Sequence, residues 1–373
     1  MPSLDASATR EQRAPVTTPA LAVSLASADD PSQRFLVRIV GAVAFAHLLN
    51  DAVQAVVSAS YPMLKDQFSL SFTQIGWIAL VYQFTASLLQ PWVGLYTDKH
   101  PKPYLLPFGM AVTACGIALL SVADQFVLLL ASVMLIGVGS STFHPEASRV
   151  ARLASGGRFG TAQSLFQVGG NAGSALAPLL VALIIIPNGQ RAIAWCVLLA
   201  ALAIVVLLRV TKWRLANAPS LVAVGSGQGA PVLDRKLVVR ALSVICLLMF
   251  AKFVYIAAIS NYFTFYMMER FGVSIQTSQL YLFAFLGAVA VGTFAGGPVG
   301  DKIGRKAVIW VSFMGVAPFA LMLPHADLFW TAVLAIVVGL IMSSAFAALV
   351  VYAQEAVPGR VGMVKRSWKW IDV

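Results

Sequence analysis

The chain has 373 residues, of which 59% are hydrophobic and only 11% charged, and its mean hydropathy is +0.82. Soluble domains carry charge on about a quarter of their positions, so this composition excludes a soluble globular domain and points to a protein that lies mostly in lipid. A net charge of +11 suggests nucleic acid as a partner, but the placement of the cations, set out below, excludes it.

Residues 1–36 are mainly Ala, Ser, Thr and Pro with scattered charges. With no sustained apolar stretch, they are expected to form a disordered cytoplasmic tail and not a signal peptide. A helix needs about 20 apolar residues to cross about 30 Å of hydrocarbon. Runs of that length recur at 37–60, 73–97, 104–123, 126–145, 161–186, 191–210, 240–268, 276–300, 306–324 and 327–352, which makes ten candidate spans. Backbone groups in lipid must be satisfied within a segment, so continuous runs predict helices and not the alternating strands of a barrel. The fold class expected is an all-α membrane protein.

With the amino terminus placed in the cytoplasm, 22 of the 26 Lys and Arg residues fall on the cytoplasmic side. Lys65, Arg191 and Arg270 fall outside and Lys252 lies within a span. This is the positive-inside bias, and it accounts for the basic charge without a nucleic-acid partner. Cys115, Cys196 and Cys246 each lie in an apolar run without paired spacing. They are expected to be small buried hydrophobes, with no metal site among them.

The chain repeats internally. GLYTDKHPKP (94–103) lies over GPVGDKIGRK (297–306), Asp98 on Asp301, at an offset of 203. FAHLLND (45–51) lies over FAKFVYI (250–256) at 205, and Arg158 over Arg360 at 202. Three anchors with nearly one offset indicate duplication. The halves are read as 37–210, with six helices, and 240–373, with four helices and an aberrant tail. A cytoplasmic linker joins them over 211–239, including the flexible run VGSGQGAP. The first half continues for about 50 residues after Arg158, whereas 13 residues follow Arg360. The expectation is that spans 11 and 12 are missing and that the ending VGMVKRSWKWIDV departs from the repeat.

Six plus six helices and a G-x-x-x-D-K-x-G-R-K loop after spans 2 and 8 resemble the major facilitator superfamily. Gly297, Asp301, Lys302, Gly304, Arg305 and Lys306 give the fuller copy; Gly94, Asp98 and Lys99 give the first, with Pro101 where the second has Gly304. More narrowly, HLLNDAVQAVVSASYPMLK, FHPEASRVAR and GGRFGTAQSLFQVGGNAGSALAPLL are similar to bacterial inner-membrane exporters of a phosphonate antibiotic within that superfamily. The resemblance implies a monomeric, multi-pass inner-membrane transporter without a cofactor and not an enzyme. It implies export of a small phosphonate drug in exchange for protons by alternating access, with substrate held near the midplane between the halves. One departure is that span 4 carries no arginine before Arg149, and the span 5 motif runs from Gly173 to Ala177-Pro178; drug/proton antiporters often have an arginine and a Gly-Pro ending there.

Ionisable residues within spans are functional candidates because a charge at the bilayer centre costs roughly 2.5–3.5 kcal/mol. In span 1, His47, Asp51, Gln54 and Ser58 share one helical face. A His and an Asp one turn apart can share or exchange a proton near neutral pH; the alternative is a polar seam against a neighbouring helix. Lys252 falls over His47 under the repeat, and under the resemblance two such groups suit a doubly charged phosphonate. The alternative is that Lys252 pairs with Asp51 or a carbonyl. Gln163, Gln167 and Asn171 share a face of span 5, where Gly169, Gly170 and Gly173 permit close packing. Pro145 is expected to kink or end span 4, freeing His144, Glu146 and Arg149, with a local Glu146–Arg149 ion pair as the alternative. A metallohydrolase reading fails because H-E-x-x-H and a third ligand are absent.

The expected substrate set is thus His47, Gln54, Gln163, Gln167, Asn171, Lys252 and Tyr255, and the proton set is Asp51, His144 and Glu146. Gly94, Asp98, Lys99, Arg149, Gly297, Asp301, Gly304, Arg305 and Lys306 form the gating set. Uptake of an endogenous sugar or organophosphate, or an inert membrane fragment, are the alternative functions.

Overall fold

The computed structural model describes residues 36–156, 158–222, 235–346 and 349. Among these residues the chain is all helix and loop, without a strand. Nine helices are long and apolar enough to cross a membrane: Val37–Phe68, Phe72–Thr97, Leu105–Val122, Phe126–Leu153, Thr161–Asn188, Gln190–Asn217, Val239–Phe271, Ile275–Gly296 and Lys306–His325. They are spans 1 to 9. The tenth expected span is a helix over Leu328–Ser344, 17 residues and short of that length; of the rest of its range, 347, 348 and 350–352 lie outside the described residues. The tail after Arg360 and most of residues 1–36 also lie outside them. The linker is narrower than expected. Helix Cys196–Val222 continues through its first part and helix Arg235–Phe271 begins before 239.

Span 4 corrects a second expectation. Pro145 neither ends nor interrupts the helix, which runs from Phe126 to Leu153. Other prolines do leave a mark. Spans 2, 5 and 9 each contain a π segment, Phe84–Leu88, Val181–Ile185 and Val311–Gly315, and each is followed within three residues by a proline, Pro91, Pro187 or Pro318. Proline clashes with the carbonyl four residues back, here that of Ser87, Leu183 or Met314, all inside the π segments. Widening the turn relieves the clash while the backbone stays hydrogen-bonded, as lipid demands.

Two main hydrophobic cores follow the two sequence halves. One joins Val43, Val53, Ile75, Met110, Ile136, Phe166 and Leu207 from spans 1 to 6. The other joins Phe263, Phe285, Val316 and Val338 from spans 7 to 10. They interlock at two residues: Phe265 of span 7 sits in the first core and Ala175 of span 5 in the second. Cys196 is buried, whereas Cys115 and Cys246, expected to be buried, are exposed.

The pairing that positions the site is span 1 against span 5. A side-chain carbon on Gly169 would lie 2.2 Å from the Ala44 carbonyl oxygen, and one on Gly173 2.0 Å from that of Leu48. Only hydrogen fits there, so the two backbones touch. Gly173→Leu must therefore force the helices apart and lower the thermal midpoint of the purified protein. Gly287→Ala, where nothing lies within 4 Å, should leave the midpoint within experimental error. Equal midpoints for the two variants would disprove the close approach.

Candidate functional site

His47, Asp51 and Gln54 of span 1 point into the contact with spans 4 and 5. His47 is 1% exposed. Its Nδ1–H donates to the Phe166 carbonyl at 2.7 Å, and its ring stacks on the Phe166 ring with centroids 4.0 Å apart. This turns Nε2 toward Asp51 Oδ2, 3.2 Å away. The other Asp51 oxygen accepts from Asn50 Nδ2 at 2.9 Å and lies 3.8 Å from His144 Nε2. The sequence face thus becomes a three-residue cluster, with His144 brought in from span 4. His47, expected among the substrate ligands, is instead occupied by span 5 and by Asp51, because the glycines of span 5 bring the Phe166 carbonyl within its reach.

Gln54 is oriented by two hydroxyls. Its Oε1 accepts from Tyr82 at 2.6 Å and from Ser140 at 2.9 Å. Nε2 is buried and without a partner. Ser58, last of the stripe, only donates back to the Ala55 carbonyl at 3.2 Å.

On span 7, Lys252 is 3% exposed and its Nζ has no hydrogen-bond partner among the described residues. It does not pair with Asp51, whose contacts are with His47, His144 and Asn50. Tyr255 is half-buried one turn further on. The polar face of span 5 divides. Gln163 accepts from Ser148 of span 4 at 3.0 Å, and Gln167 donates to Asn171 at 3.3 Å. Asn171 donates across to Thr293 of span 8 at 2.8 Å, joining the two halves.

At the ends of spans 2, 4 and 6, Glu146 is fully buried between two guanidiniums. Arg149 pairs with one carboxylate oxygen and Arg214 with the other at 2.7 Å. Arg149 also donates to the Thr97 carbonyl at 3.2 Å, next to Asp98. Glu146, expected in the proton set, has one oxygen paired with Arg149 and the other with Arg214. Of the gating set, Gly304 has φ +92°, a conformation that favours glycine, and it forms the turn between spans 8 and 9. Gly94 faces Pro145 of span 4 at ordinary contact distance, and Lys306 is exposed. Gly297 lies within the span 8 helix; Asp98, Lys99 and Asp301 lie in final helical turns and Arg305 opens a helix. The side-chain placements of these five are not among those described.

A sequence profile described as Major Facilitator Superfamily matches residues 43–365. The chain belongs to that superfamily. The fosmidomycin resistance protein of Escherichia coli (strain K12) is 54% identical over 344 residues, covering 92% of this chain and 84% of that protein. The uncharacterized MFS-type transporter YfnC of Bacillus subtilis (strain 168) is 45% identical over 324 residues, covering 86% and 79%. In three dimensions the chain resembles a D-xylose-proton symporter, with TM-score 0.64 and 16% identity over 84% of this chain and 80% of that one. It also resembles a bacterial homologue of the human lysosomal transporter Spinster in an inward-facing, occupied conformation, with TM-score 0.63 and 15% identity over 84% and 73%. The fold is that of major facilitator transporters, and the protein is a multi-pass membrane transporter and not an enzyme.

Within this superfamily member, sequence reasoning missed Tyr82, Ser140, Arg214 and Thr293. Tyr82, Ser140 and Thr293 are commonplace in apolar helices and carry no signal of their own. Arg214 was signalled: it is a cation of KWR, hidden by assigning 211–239 to a linker. Removing one partner of a buried ion pair costs about 3–5 kcal/mol. Glu146→Gln should accordingly lower the thermal midpoint clearly, leaving two buried guanidiniums facing a neutral amide. A midpoint equal to that of the unaltered protein would show that the cluster does not hold spans 2, 4 and 6 together.

Proposed function

We propose that this transporter exports a small anionic drug, a fosmidomycin-like phosphonate, across the bacterial inner membrane by alternating access, with its amino terminus in the cytoplasm and protons moving inward in exchange. The observation that carries the reading is Lys252, whose amino group is buried in a membrane span without a hydrogen-bond partner among the described residues. An ammonium group in a low-dielectric interior is costly unless paired, and intramembrane cations of this kind mark substrate pathways. An anionic substrate supplies the missing partner. The choice of phosphonate follows the 54% identity with the fosmidomycin resistance protein, and the orientation follows the cation bias. Proton exchange follows the resemblance of the sequence to exporters driven in that way.

Expression of the chain in fosmidomycin-sensitive bacteria should raise the inhibitory concentration. Lys252→Gln should return it to the level of cells lacking the protein while the amount in the membrane is unchanged. Full resistance from Lys252→Gln at equal membrane levels would overturn the anion-site reading. In proteoliposomes an imposed proton gradient should accelerate phosphonate movement against the proton flow, and an uncoupler should abolish the acceleration. Phosphonate flux that ignores the gradient would remove proton exchange from the proposal and leave facilitated movement.

A further inference from the structure

His47, Asp51 and His144 have the form of a three-ligand metal site. One ligand atom from each lies within 4.8 Å of the others, with separations of 3.2 Å from His47 Nε2 to Asp51 Oδ2 and 3.8 Å from His144 Nε2 to Asp51 Oδ1. A tetrahedral ion with bonds of about 2.0–2.1 Å holds its ligand atoms about 3.3–3.4 Å apart. The first pair already has that spacing. The third ligand, His144, is about one-third exposed and sits edge-on to the His47 ring; a turn of its side chain closes the other separations.

Three further observations separate this cluster from a chance meeting of polar groups. His47 donates its Nδ1–H to a backbone carbonyl, the arrangement that fixes metal-binding imidazoles with the other nitrogen presented to the ion. That nitrogen, Nε2, is buried and lies 3.2 Å from a carboxylate oxygen, a spacing that either a proton on the imidazole or a metal ion between the two satisfies. Finally, span 5 presents Gly170 to the cluster: a side-chain carbon there would lie 2.4 Å from His47 Cε1 and 2.7 Å from Asp51 Oδ2, so the wall that would crowd the site is bare. Asn50 orients the carboxylate from the side.

We propose that His47, Asp51 and His144 bind a borderline divalent transition-metal ion such as Zn2+. Two nitrogens and one oxygen suit that class, and the remaining coordination positions lie on the partly exposed side of Asp51 and His144. This inference goes beyond the transport reading and stands without it.

The test uses full-length protein purified without a histidine tag and carrying His100→Ala and His325→Ala, which leaves His47 and His144 as its imidazoles. Co2+ serves as the probe. The expected result is one equivalent bound with visible d–d absorption, displaced by Zn2+ and without a thiolate charge-transfer band. His144→Ala and the milder His144→Gln should each weaken binding at least about tenfold, as loss of a ligand or its support does, with thermal midpoints confirming that both are folded. No Co2+ bound would mean that a proton alone bridges His47 and Asp51 and would overturn the proposal. Unchanged affinity in both His144 variants, or a thiolate band from cysteine, would overturn it equally.

Discussion

Hydrocarbon supplies no hydrogen bonds, so every polar atom placed in it must find its partner within the protein. Most of this structure answers to that constraint. Proline-freed carbonyls in spans 2, 5 and 9 are absorbed by π turns. The Glu146 carboxylate is covered by two arginines, and span 8 reaches back through Gln279 to the Ala59 carbonyl at 2.7 Å. Against that background the atoms left over carry information. Lys252 Nζ is one of them, buried in a span without a hydrogen-bond partner among the described residues.

The glycines of span 5 decide how His47 and Asp51 are placed. By letting the backbone of span 1 come into contact, they set the Phe166 carbonyl against His47, and His47 then sets Asp51. Between the halves the arrangement is looser. Each half has its own apolar core, and the described polar links across the boundary are single hydrogen bonds, Asn171 to Thr293 and Gln279 to Ala59. Hydrogen bonds of this kind contribute about 1 kcal/mol net.

Much of this was legible in the sequence because lipid simplifies the code. Length of apolar run and the repeated Gly-Asp loop pointed to the membrane helices and the superfamily, and 3.6-residue spacing placed His47, Asp51 and Gln54 on one face. The fates of those side chains were not legible, since they depend on which neighbour arrives. His47 bonds to a backbone carbonyl 119 residues away, and any residue type can offer a carbonyl. Pro145 misled because a proline predicts a lost donor but not whether the helix continues past it. Arg214 was lost to a boundary, where apolar content falls although the helix does not.

The π segments have a consequence for anyone mapping which positions line the translocation path. A turn closed by an i→i+5 bond holds one more residue than an α turn, so the side chains beyond it are rotated relative to an ideal helix by about the angle of one residue, roughly 100°. In spans 2, 5 and 9 the accessible stripe therefore changes phase part-way along, at Phe84–Leu88, Val181–Ile185 and Val311–Gly315. A residue-by-residue labelling profile along span 2 or span 9 is two sinusoids out of step, and fitting a single period would misplace the residues beyond the π segment, whereas in span 5 only Ile186–Asn188 lie beyond it.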